Sequence, residues 1–170
     1  MKSANIATLI VCALLPGAVL PASAADRLLS AADQVRQMQR GVNIVGYDPL
    51  WQDPGKARFQ PRHFQIIRQG GFSSVRIALM AFRFMNERNE LPAGWFATLD
   101  GLVNGAVAQH LTVIIDEHDY NACGRDVVAC RPRLMAFWTQ VAAHFKDAPD
   151  QVVFEILNEP NESTNDVREP

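Results

Sequence analysis

From residue 41 onward the apolar positions switch between two periods. GVNIVGY (41–47), SSVRIAL (73–79), LTVIIDEH (111–118) and QVVFEILNEP (151–160) are short, nearly continuous apolar runs rich in β-branched residues, and they predict strands. Longer segments with helical spacing lie between them. PRHFQIIRQGG (61–71) opens on Pro61 and closes on Gly70-Gly71, a favoured start and stop. LPAGWFATLDGLVNGAVAQH (91–110) repeats apolar residues at Trp95, Leu99, Leu102, Val103, Ala106 and Val107. RPRLMAFWTQVAAHFKD (131–147) does the same at Leu134, Phe137, Trp138, Val141, Ala142 and Phe145. Residues 25–40 are polar with sparse apolar positions, read as a short helix or ordered arm, and 161–170 form a polar tail.

Strand–helix alternation with buried-looking strands predicts an α/β fold with a parallel sheet covered by helices. Strand starts fall about 30–40 residues apart, the size of one βαβ unit. Two architectures use such units, an open doubly wound sheet and a closed (β/α)8 barrel. The glycine-rich phosphate turns of the first are absent, since no G-x-G-x-x-G and no G-x-x-x-x-G-K occurs. Polar residues instead gather at the C-terminal ends of the strands, where barrel enzymes keep their chemistry. A whole barrel takes about 250 residues. The expectation for residues 41–160 is therefore the first half of a TIM-type barrel, with four of its strands.

Side chains alternate between the faces of a strand. In the second strand Val75, Ile77 and Leu79 make an apolar, helix-facing side, and Arg76 and Ala78 point the other way. In the third, Asp116 and His118 share one face, while Val113, Ile115 and Glu117 share the other. In the fourth, Val153, Glu155, Leu157 and Glu159 alternate together. Arg76, Asp116, His118 and Glu159 are thus expected to point inward, away from the helices. Arg76 has a second reading, as an ion-pair partner of Asp116 or Glu155 within the barrel. His63 and His110 read as structural or solvated.

Composition adds constraints. Hydrophobic residues make up 48% and charged residues 20%, enough to bury a core, and the net charge is −2 with no basic run. Nucleic-acid binding is not expected. Lys2, an apolar stretch from Ile6 to Leu20 and Ala22-Ser23-Ala24 predict a secretory signal peptide over 1–24, hence a secreted or periplasmic product. The stretch is short of the roughly 20 apolar residues a span needs, and prolines interrupt it. No membrane span is expected after cleavage. Export exposes thiols to oxidation, so Cys123 and Cys130 are expected to form a local disulfide. Neither a metal nor a cofactor is expected: a site built on Asp116 and His118 would lack further ligands.

The ordered set VRIAL, IIDEHDY and NEP, preceded by RGVNI, resembles glycoside hydrolase family 5, the cellulase and mannanase group of retaining (β/α)8 barrels. The resemblance spans residues 40–160. It implies that Glu159 is the general acid/base and that Asn158 hydrogen-bonds the sugar 2-hydroxyl. It implies that Arg76 holds a catalytic carboxylate ionised and oriented, and that His118 lines the sugar subsite. Tyr120 either stacks on sugar or caps the loop, and Trp51 reads equally as a sugar platform or as loop packing. The implied substrate is a β-linked polysaccharide or oligosaccharide.

A retaining glycosidase needs a second carboxylate about 5–5.5 Å from the first. Glu155, four residues upstream on one strand, lies about 13 Å away at roughly 3.3 Å per residue. The family's nucleophile is a glutamate on its seventh strand. The chain is therefore expected to hold one carboxylate of the two and to be inactive alone. The alternative is a non-catalytic half barrel that binds carbohydrate or associates with itself through its open sheet edges.

Overall fold

The computed structural model describes residues 29–160. The leader expected over 1–24 and the tail over 161–170 lie outside the described residues. Four strands, β1 (Gly41–Ile44), β2 (Ser74–Leu79), β3 (Thr112–Glu117) and β4 (Val152–Glu155), form one sheet in the order β1-β2-β3-β4. Every pairing is parallel. Five helices accompany them: α1 (Ala31–Met38), α2 (Arg62–Gln69), α3 (Ala93–Val107), α4 (Tyr120–Arg125) and α5 (Val127–His144). Consecutive parallel strands linked by helices are the opening of a (β/α)8 barrel.

The core lies between sheet and helices. Val75, Ile77 and Leu79 of β2 and Val113 and Ile115 of β3 are fully buried there, with Leu99 and Val103 of α3 and Phe137 and Val141 of α5. β4 is different. Phe154, level with the buried Ile115 of β3, is 39% exposed, and Ile156 just beyond the strand is 61% exposed.

Two boundaries differ from the periodic reading. Helix α5 starts at Val127, four residues before the expected 131, because Asp126 caps it by accepting the N–H of Ala129 at 2.8 Å. Pro132 sits inside the helix, where it cannot donate the backbone hydrogen bond of its turn. The stretch before it, to which the periodic reading assigned no element, holds the short helix α4. The Cys123–Cys130 disulfide joins α4 to the first turn of α5, with Cα atoms 4.8 Å apart and both residues buried. The arm over 25–40 contains α1, which buries none of its residues. No described helix is long and apolar enough to cross a membrane.

Candidate active site

The site grows from the inward face of the sheet. Register sets Arg76 of β2 beside Ile114 of β3, and Ala78 beside Asp116. Asp116 in turn pairs with Glu155 of β4. Arg76 therefore starts one step below the two acids, and its long side chain rises to meet them. Nε donates to Glu155 Oε2 at 2.6 Å and Nη2 to Glu155 Oε1 at 2.7 Å. This fork matches the geometry of a carboxylate. Nη2 also donates to Asn158 Oδ1 at 2.8 Å and lies 2.9 Å from Asp116 Oδ2.

His118 joins from the third strand. Its Nδ1 lies 2.6 Å from Asp116 Oδ2, and its backbone N–H donates to the Leu79 carbonyl at 2.6 Å. Tyr120 opens α4 and packs edge-on against the His118 ring, centroids 5.4 Å apart. Both expected site residues thus stand together at the C-terminal end of β3.

Charge follows contact. The hydrogen bonds from Arg76 hold the Glu155 carboxyl below its usual range. The same bonds raise Arg76, helped by the charges of Asp116 and Glu159 against the cost of burial. Asp116 has no exposed surface, and burial pushes its carboxyl up against the lowering by His118 and Arg76. The ion network weighed for Arg76 exists, and it includes Asp116 and Glu155 together.

β4 ends earlier than its apolar run. Strand geometry stops at Glu155, although the Asn158 N–H still donates to the Glu117 carbonyl at 2.9 Å. Beyond Glu155 the alternation fails. Leu157 does not share the face of Glu155. It lines a cleft of about 230 Å³ with Cys123, Val127, Leu134 and Pro160, outside the barrel face. Asn158 takes the inward place, buried and held by Arg76. Glu159 follows on the exposed rim with φ +35°, a backbone region costly for a residue with a Cβ and unusual before a proline.

Trp51 is packing and not a platform: it is buried, stacks on Trp95 at 5.5 Å and donates from Nε1 to the Val45 carbonyl at 3.0 Å. His63 caps its own helix, its Nδ1 accepting the Gln60 N–H at 3.0 Å. Among the described residues no group of three or more His, Cys, Asp or Glu side chains is arranged to hold a metal ion.

The family model for cellulase, glycosyl hydrolase family 5, matches residues 35–169. The chain belongs to this family. Endoglucanase A of Clostridium longisporum is 25% identical over 134 residues, covering 75% of this chain and 25% of that protein. Endoglucanase 3 of Fibrobacter succinogenes is 25% identical over 154 residues, covering 78% of this chain and 23% of its own. Among solved structures, an endoglucanase superposes with TM-score 0.70 at 28% identity, covering 78% of this chain and 44% of that one. The Thermotoga maritima Cel5A structure in complex with cellobiose gives 0.68 at 29%, covering 77% and 44%. This family 5 chain thus spans about a quarter of the length of those curated relatives and under half of those solved chains. Its four strands correspond to half of the family's barrel.

Periodic reading missed two residues that build the site from behind, Asp119 and Arg133. Asp119 Oδ2 accepts the Phe82 N–H at 2.8 Å, and Arg133 donates to the Phe82 carbonyl and covers its ring at 4.9 Å. The signal for Asp119 was present in the acid-rich DEHD (116–119). Arg133 carried none, because its partner is a backbone carbonyl 51 residues away.

Proposed function

We propose that this chain carries one half of the active site of an exported retaining glycosidase acting on β-linked glucan, with Glu159 as the acid/base. The observation that carries the reading is the buried Asn158, fixed by Arg76 immediately before Glu159 at the rim of the sheet. In this role Glu159 protonates the glycosidic oxygen as its bond to the anomeric carbon breaks. A second carboxylate attacks that carbon from the opposite face. Glu159 then takes a proton from the water that releases the sugar. Asn158 meets the sugar 2-hydroxyl, and His118 and Tyr120 line the subsite. Glu155 is committed to Arg76, so in this reading the nucleophile comes from polypeptide outside the described residues.

The endoglucanase names of the relatives support β-glucan. Thermotoga maritima Cel5A has been solved with both cellobiose and mannotriose, which leaves mannan as a second substrate to assay. A protein extended through the remainder of the barrel should hydrolyse a β-1,4-glucan, and Glu159→Gln should remove that activity while azide restores cleavage of an activated aryl glycoside. Unchanged turnover in Glu159→Gln would sink the assignment. The leader predicts a product beginning near residue 25, which N-terminal sequencing of exported protein checks.

The exposed Phe154 and Ile156 support a second reading, in which the chain associates through the β4 side of its sheet. Sedimentation of the isolated chain separates the two. A stable dimer favours association, and a monomer disfavours it.

A further inference from the structure

Glu117 lies on the helix-facing side of β3 beside Val113 and Ile115, with no exposed surface. Its Oε1 accepts the Asp119 N–H at 3.0 Å. Its Oε2 is buried and meets no donor. The charged groups that act most on this carboxyl are Asp119 and Asp116, both negative. Arg133 of α5 donates from Nη2 to the Phe82 carbonyl and lies over the Phe82 ring, and its buried Nε meets no acceptor. An ionised carboxylate in such a place would be desolvated, repelled twice and unpaired. A proton on Oε2 removes the charge and turns the orphan acceptor into a donor. The Asp119 carboxyl, whose own N–H is bound to Oε1 and whose side chain acts on this group, is the acceptor such a proton would take.

Asp119 does more than receive that bond. Its Oδ2 accepts the Phe82 N–H at 2.8 Å, in the segment that follows β2. The segments after β2 and β3 are therefore joined through one acid pair, with His118 between its two members in sequence. His118 is also held by its N–H to Leu79, again across β2 and β3.

We propose that Glu117 carries a proton in the folded protein and shares it with Asp119, and that this pair clamps the loops after β2 and β3 and so positions His118. Burial, with the hydrogen bond and charge of Asp119, raises the Glu117 carboxyl well above its usual value, in the direction the geometry requires. Glu117 is a positioning residue, since it lies on the far side of the strand from the sugar subsite. The catalytic consequence rests on the glycosidase reading, whereas the proton itself does not.

The test uses the protein extended through the rest of its barrel. Infrared spectra near neutral pH should show the carbonyl stretch of a protonated carboxylic acid. That band should shift when glutamate side-chain carboxyls alone are labelled with carbon-13, and vanish in Glu117→Gln. The spectra are taken in the Glu159→Gln background, because Glu159 in its proposed role also carries a proton. Absence of a glutamate-dependent band there overturns the proposal, and the label decides this even if the Glu117 variant does not fold. Glu117→Gln, which can still donate to Asp119, should retain most of kcat/KM. Glu117→Leu should lose roughly tenfold or more below its melting temperature, as small misplacements of site groups do. Should Glu117→Leu not fold, Asp119→Ala breaks the same clamp from its half-buried member. Wild-type kcat/KM in the folded clamp-breaking variant overturns the positioning role. A wild type with no glycosidase activity would defeat the functional reading, while the infrared result would still decide the shared proton.

Discussion

Arg76 and Glu155, 79 residues apart in sequence, meet in a two-bonded fork of 2.6 and 2.7 Å across β2 and β4. The strand between them supplies Asp116 to the same guanidinium. One cation thus ties three strands and orders Asn158 at the rim.

Breaking the fork should weaken the fold most where Glu155 is ionised. The folded value of Glu155 lies below its usual 4.5, so its contribution is present above about pH 4.5 and is lost as pH falls through the lowered value. Glu155→Gln should cost about 1–2 kcal/mol at neutral pH, since the Glu155 side chain is partly exposed. Urea unfolding should show a flatter acid limb in the variant. Equal pH dependence in the two proteins would contradict the pairing.

Removing the cation should be worse than removing the acid. Arg76→Leu strands Asp116, which has no exposed surface, without its charge partner. The expected loss is about 3–5 kcal/mol, and Arg76→Lys should recover only part, because an ammonium cannot reproduce the fork. A Lys variant as stable as wild type in urea would show that the fork geometry is unimportant.

Two glycines of α3 should respond oppositely to alanine. A Cβ at Gly105 would stand 2.7 and 2.9 Å from ring carbons of Phe64, which is buried and cannot swing away. Gly105→Ala should lose about 1–3 kcal/mol despite alanine's better helix propensity. A Cβ at Gly101 meets nothing within 4 Å, so Gly101→Ala should gain about 0.5–1 kcal/mol. Thermal melts of the pair decide this, and a shared sign would refute the packing argument.

The disulfide should stabilise the folded protein by tethering α4 to α5 across seven residues of separation. Loop-closure entropy for so short a span gives about 2 kcal/mol. Cys123→Ser with Cys130→Ser should melt where the reduced wild type melts and below the oxidised protein. Coincident melts for oxidised and reduced wild type would show that the bond adds nothing.

Much of this arrangement was legible in the chain. The two periods placed β2, β3, α2 and α3 to within a few residues, because burial of one side of an element is a local, repeating constraint. Parity set Arg76 on the inward face and Glu117 on the helix side, and the expected export paired Cys123 with Cys130, as the structure has them. The order of VRIAL, IIDEHDY and NEP pointed to the family that the comparison then established.

Other features depended on distances between segments far apart in sequence. Parity ran past the end of β4, where Leu157 left the expected face and Asn158 took it. Which acid meets Arg76 follows from register, which sets it one step below Asp116 and Glu155 so that a single guanidinium reaches both. The burial of Trp51 required Trp95 of α3 beneath it. That Glu117 faces the helices could be read from alternation alone. That no cation among the described residues bonds to it could not, because only the packed helices decide which charges surround a buried carboxyl and whether it can remain ionised.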